Sequence, residues 1–190
     1  MFRKFLHRLK RIFFRDQVPE MIWGFTCADG KYRLSVRISN TTFIGSREKL
    51  SLGDNVFIGH YNMIDASNSL VIEEGCQVTN YVSMLTHSSH YSIRLYGKEY
   101  VNHKDHTGYV KGKVKIGKYS FIGPHSVIMP GTSIGKGSIV SAFSYVSGVF
   151  PDFSIISGNP AVVSGDTRKI DQLFLSQYPE LQELYNQWSK

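Results

Sequence analysis

What the 190-residue chain lacks already narrows what it does. Its cysteines, Cys27 and Cys76, form no CxxC pair and are too few for a disulfide framework, so packing must hold the fold and a reducing compartment suits both. No stretch approaches the roughly 20 uninterrupted apolar residues that a membrane-spanning helix requires. The basic, apolar start MFRKFLHRLKRIFF does not read as a secretory signal, because Arg3, Lys4, Arg8, Lys10 and Arg11 interrupt it and no small-residue cleavage site follows. A cytoplasmic location is expected.

Acidic residues are missing from one place in particular. Residues 1–15 hold six Lys or Arg and no Asp or Glu, whereas the rest balances 16 basic against 15 acidic residues; the net charge of +7 therefore belongs to an arm. Phe2, Phe5, Leu6, Leu9, Ile12 and Phe13 fall there at helical spacing. They predict a basic amphipathic helix over residues 1–18 that lies on an anionic membrane surface, at its inner face, or packs on its own oligomer. Nucleic acid is not an expected partner, since no aromatic stacking platform or reader motif accompanies the arm. Residues 19–37 read as a lead-in.

What is present in abundance is a six-residue beat. Aliphatic residues stand at Ile116, Ile122, Ile128, Ile134, Val140 and Val146 without a slip, and upstream at Leu52, Ile58 and Ile64, then, after a two-residue offset, at Ile72, Val78 and Met84. On a helix such a stripe would wind around the axis. Short strands separated by tight corners keep every aliphatic residue pointing inward, and the small residue that usually follows it (Gly53, Gly59, Gly117, Gly123, Gly135, Ser141) is expected to let the chain turn. Three walls then make one coil of an all-β solenoid, with coils stacked at about 4.8 Å. Residues 38–163 would supply roughly five coils. A polar insertion over residues 87–113 interrupts them, and residues 164–190 read as amphipathic helical pieces broken near Pro179.

The stretch IGPHSVIMPGTSIGKGSIVSAFSYV, with Pro151 and then ISGNPA after it, resembles the signature of the hexapeptide-repeat acyltransferases, trimeric left-handed parallel β-helix enzymes. The resemblance spans about Ile38 to Val163 and is nearest to the sugar O-acetyltransferases that include the galactoside and maltose enzymes. It implies left-handed coils, acetyl-CoA as acyl donor without a metal, and a homotrimer with active sites at subunit interfaces. It also implies a catalytic histidine where a repeat strand meets a long loop; Thr86-His87-Ser88 matches that place, with Arg94 and Gly97 to Tyr100 following. Imidazole suits removal of a hydroxyl proton near neutral pH, so His87 is the expected general base, aided by a backbone N–H that stabilises the oxyanion; His90 is the second choice.

By the same matching, coenzyme A would lie along Phe121, Gly123, Pro124, Ser141 and Ala142, with Gly158 and Asn159 near its nucleotide end. The family's basic residues are replaced here by Val162 and Gly148, so the 3′-phosphate would have to find Arg168, Lys169 or a neighbouring subunit. His60, Asn62, Asn80, Tyr81 and Glu99 are the candidates for holding a saccharide acceptor, a surface-polysaccharide or lipid-linked precursor if the arm touches a membrane.

Other readings compete. Antibiotic and nucleotide-aminosugar acetyltransferases share the signature. The pairs His87/His90 and His103/His106 are four potential zinc ligands, as in a γ-type carbonic anhydrase. A solenoid can also serve as a non-catalytic scaffold. Cys76, two residues before Val78, reads as a small inward-facing hydrophobe and not as a nucleophile.

Overall fold

The computed structural model of the chain describes residues 18–190; the N-terminal helix expected over residues 1–18 lies, but for its last residue, outside the described residues. Each hexad forms a strand of only two or three residues, too short to be stable alone. Stability comes from parallel pairing, in register, with the coils above and below. Wall A carries Ile38, Ile58, Val78, Ile122, Val140 and Ile156 in one ladder. Wall B stacks Ile44, Ile64, Met84, Ile128 and Val146. Wall C stacks Leu52, Ile72, Ile116, Ile134 and Phe150. The all-β solenoid is thus the left-handed parallel β-helix that the resemblance implied.

The aliphatic column fills the prism. Ile58, Ile64, Ile72, Val78, Met84, Ile116, Ile122, Ile128, Ile134, Val140 and Val146 are all fully buried, each burial worth about 1.5–3 kcal/mol. Two residues before Ile122, Ile128, Ile134, Val140 and Val146 a second inward slot holds a hydroxyl. Ser120 and Ser126 donate to the carbonyls of Gly135 and Ser141, both at 3.0 Å, and accept the N–H of Ser138 and Ser144 in the next coil. These buried polar groups are therefore satisfied, coil to coil. Cys76 occupies the same slot; burial pushes its thiol up to about 12, and it donates to the carbonyl of Gly117. It behaves as a packing residue.

The corners depart from the sequence expectation. The residue that turns the chain is not the small one after the aliphatic residue but the one three positions before the next, where Asn55, Tyr61, Tyr81, Tyr119, His125, Phe143 and Phe153 all have φ between 55° and 61°. The glycine after the aliphatic residue serves another purpose. A Cβ on Gly123 would sit 2.6 Å from the backbone nitrogen of Ala142, and one on Gly117 2.5 Å from that of Lys136. Glycine there lets coils approach closely.

The two-residue offset also has a structural meaning. From wall B to wall C the first two coils take a path two residues longer than the fourth, as Ile44 to Leu52 and Ile64 to Ile72 compare with Ile128 to Ile134. The edge between B and C is thus widened in those coils, and the third coil opens there into the insertion, which leaves after Met84 and rejoins at Val114. Antiparallel pairing of His87–Ser88 with Val110–Lys111 closes its base.

Hairpin strands flank wall A at both ends: Met21–Thr26 pairs with Tyr32–Ser39, and Ala161–Asp166 with Ser154–Gly158. The last strand thus runs past residue 163, and helix Thr167–Gln177 follows, its N–H at Arg168 capped by the Asp166 carboxylate at 2.9 Å. After a turn at Pro179–Leu181, helix Gln182–Ser189 lays Trp188 on Tyr119 and Phe153, at the edge between walls C and A. No helix among the described residues is long and apolar enough to cross a membrane.

Candidate functional site

His87 stands at the root of the insertion, one coil above the widened corner Asp65-Ala66-Ser67-Asn68. The corner is shaped by Asp65 itself, whose Oδ1 accepts the N–H of Ser67 two residues on at 3.0 Å. Its Oδ2 then points along the prism to the next coil. There it accepts the N–H of Thr86 (3.0 Å), the Thr86 hydroxyl (2.8 Å), and Nδ1–H of His87 (2.8 Å). The Ser67 hydroxyl lies 3.1 Å from the same oxygen and 2.9 Å from Nδ1. Thr86 is fully buried and also accepts the N–H of Asn68, so both coils are locked together at this point.

Electrostatics follow from that geometry. Burial alone would raise the Asp65 carboxyl, but hydrogen bonds from the Thr86 hydroxyl, the Ser67 and Thr86 N–H groups and the Ser67 hydroxyl outweigh it and hold the carboxyl at about 2. Asp65 is therefore ionised at any working pH. An ionised carboxylate at Nδ1 fixes the proton on that nitrogen and leaves the Nε2 lone pair on the half-exposed side of the ring. Tyr109, from the returning arm of the insertion, lies parallel to the imidazole with centroids 5.7 Å apart. The group can accept a proton at Nε2 and stabilise the resulting imidazolium at Nδ1.

Asp65 was not among the residues picked out from sequence. Its signal was there: a carboxylate stood in the position that glycine or serine usually fills, immediately before the phase slip. The other histidines of the insertion go elsewhere. His90 bonds the Ser88 hydroxyl at 2.7 Å, His103 packs on Tyr96, and Nε2–H of His106 donates to the carbonyl of Tyr100 at 2.7 Å. Among the described residues no three His, Cys, Asp or Glu converge in ligating positions.

The remaining candidates fall on two other edges of the prism. His60, Asn80, Pro124, Ala142 and Gly158 occupy equivalent positions of successive coils on the edge between walls A and B, with Tyr81 one residue further on at the corner, Gly123 and Ser141 just inside the edge and Asn159 at its end. Phe121 lies on the outer face of wall A. Arg168 sits toward the C–A edge, over the Phe153 ring and paired with Asp166; Lys169 is exposed beside it. One acceptor candidate is corrected by the geometry. Asn62 is buried, donating to the carbonyls of Gly59 and Thr79 and accepting the N–H of Val82, so it stitches coils and cannot meet a ligand. Glu99 is exposed and accepts from the Asn102 side-chain amide at 2.8 Å.

Known proteins place this arrangement. Residues 113–148 match the model of the bacterial transferase hexapeptide (six repeats). A probable acetyltransferase of Mycobacterium tuberculosis is 28% identical over 135 residues, covering 67% of this chain and 41% of its own. A putative acetyltransferase of Staphylococcus aureus is 39% identical over 70 residues, covering 36% and 34%. The chain therefore spans between a third and a half of the length of these relatives. Among solved structures, galactoside acetyltransferase in complex with coenzyme A superposes with a TM-score of 0.59 at 21% identity, over 69% of this chain and 62% of that one. The Bacillus cereus N-acyltransferase AntD, in complex with dTDP and 3-hydroxybutyryl-CoA, gives 0.58 at 20% identity, over 78% and 89%. Residues 113–148 thus carry the hexapeptide repeat of bacterial transferases, and the chain shares the β-helix fold of these structures.

Proposed function

We propose that the protein is an acetyl-CoA-dependent O-acetyltransferase that acts on a saccharide hydroxyl, with His87 as general base in direct transfer. The observation that carries this reading is the Asp65–His87 pair, which leaves one imidazole nitrogen open and the other held by a carboxylate. Nε2 takes the acceptor's hydroxyl proton as its oxygen attacks the thioester carbonyl. The C–S bond then breaks, and the same proton passes from the imidazolium to the leaving thiolate. Asp65 stabilises the ring while it is charged.

The A–B edge suits the donor. Ala142 and Gly158 are exposed and nearly without side chains, so a thin amide-bearing arm can reach the backbone. Arg168 has its charge already matched by Asp166, which leaves Lys169 as the freer of the two basic residues for a 3′-phosphate. His87 lies on a different edge from these groups, and this supports a homotrimer in which one copy brings the base and its neighbour the donor groove. A surface-polysaccharide or lipid-linked precursor, met at a membrane through residues 1–15, is the acceptor that the basic arm favours.

The deciding experiment is thiol release from acetyl-CoA against sugars, nucleotide sugars and antibiotics, with His87→Ala as control. Release with a sugar hydroxyl, abolished in the variant, is the expected outcome. No release with any acceptor at saturating donor overturns the assignment, and transfer to an amine shifts it to the nucleotide-aminosugar or antibiotic enzymes.

A further inference from the structure

The insertion forms a cavity of about 690 Å³ whose wall includes Tyr100, Lys104, Asp105, His106, Tyr109 and Lys111. This is within the range of about 300–1,000 Å³ in which small ligands are held. The cavity adjoins the base through two of its residues. Tyr109 lies parallel to the His87 ring, and Lys111 is the cross-strand partner of His87 in the hairpin that closes the insertion.

The lining has a definite chemistry. Tyr100 and His106 stack with centroids 3.9 Å apart and an angle of 18°, a flat platform fixed by the Nε2–H bond of His106 to the Tyr100 carbonyl. Lys111 holds its ammonium 5.4 Å from the Tyr109 ring centre. Neither Lys104 nor Lys111 is ion-paired among the described residues, in contrast to Lys115 on wall C and Lys118 at the corner after it, which are matched by Glu73 and Glu74. Two unmatched ammoniums face one carboxylate, Asp105, so the cavity carries an excess of positive charge beside its aromatic surface.

We infer that this cavity is the acceptor site and that the acceptor is an acidic saccharide, whose carboxylate or phosphate is held by Lys104 and Lys111 while its ring lies against the tyrosines. Sugars present apolar C–H faces to aromatic rings, and an ammonium recognises either anion as a point charge. The inference rests on the acetyltransferase reading only for the word acceptor; binding is independent of catalysis.

The test is calorimetric binding of glucose, glucuronate and glucose 1-phosphate to the full chain, and to Lys104→Gln, Lys111→Gln and the double variant, with thermal melts to confirm that each folds. At least one of the two anionic sugars should bind about tenfold or more tightly than glucose at low salt. The double variant should lose that advantage and bind the three sugars alike. Preference for glucuronate alone, or for glucose 1-phosphate alone, identifies which anion is read. Equal binding of all three sugars, no binding of any, or a preference that survives in the folded double variant overturns the inference. Anion-selective binding without thiol release toward any acceptor sinks the acetyltransferase reading and leaves the anion site standing; release with neutral sugars alone does the reverse.

Discussion

The two edges that flank wall B are made by the same repeat and have opposite characters. On the A–B edge every coil turns in the shortest way, and the left-handed corner position carries Tyr61, Tyr81, His125 and Phe143 in successive coils. Their rings stack nearly parallel at 5.3, 4.9 and 4.8 Å, which offsets the strain of a positive φ on a bulky residue. The result is a regular outer surface. On the B–C edge two further residues in each of the first two coils widen the corner; in the second they make room for an Asx turn, and Asp65 can reach into the next coil to grip His87. A tight corner repeats itself; a loosened one gives a side chain a single required direction.

Breaking the loosened edge should have the largest consequence. His87→Ala removes the proposed base, and kcat should fall on the order of 10²–10⁴-fold with little change in the KM for acetyl-CoA, as steady-state kinetics will show. Asp65→Asn leaves the ring in place without its carboxylate, and kcat should fall on the order of 10-fold to 10²-fold.

The same variant sharpens the comparison through stability. Because the native Asp65 carboxyl titrates near 2, below its unfolded value, it contributes on the order of 2 kcal/mol that is fully present above about pH 4 and lost as pH falls through about 2. Acid melts should therefore show the wild-type advantage over Asp65→Asn closing across that window and constant above it.

Next in size is a break in the close approach of coils on the tight edge. Gly123→Ala drives a Cβ against the Ala142 nitrogen and the Val140 carbonyl, backbone atoms that cannot rotate away, and denaturant melts should register a loss of about 1–3 kcal/mol. The smallest effect is expected from Phe143→Gly. It deletes one ring of the stack and at the same time relieves the positive φ, so the net change should stay within about 1 kcal/mol. A larger loss would mean that the aromatic stack, and not the inward aliphatic column, sets the spacing of the coils.

The sequence by itself determined the solenoid. Inward aliphatic residues at a constant interval of six allow only short strands joined by corners, and that pattern is local enough to read without neighbours in space. It also located the insertion, since a break in periodicity is visible along the chain; that His87 at its root is the base was an implication of the resemblance. What it could not supply was any relation between coils. The carboxylate of Asp65 and the ring of His87 are 22 positions apart, and only stacking of one turn on the next brings them to 2.8 Å. Asn62 looked like a ligand contact beside His60 and Tyr61, but it fills the inward slot two residues before Ile64, where it bonds the backbone of its own coil and of the next. Tertiary structure decided, too, that His87 and the small-residue groove lie on separate edges, because a three-walled coil assigns residues to edges by their phase and not by their distance along the chain.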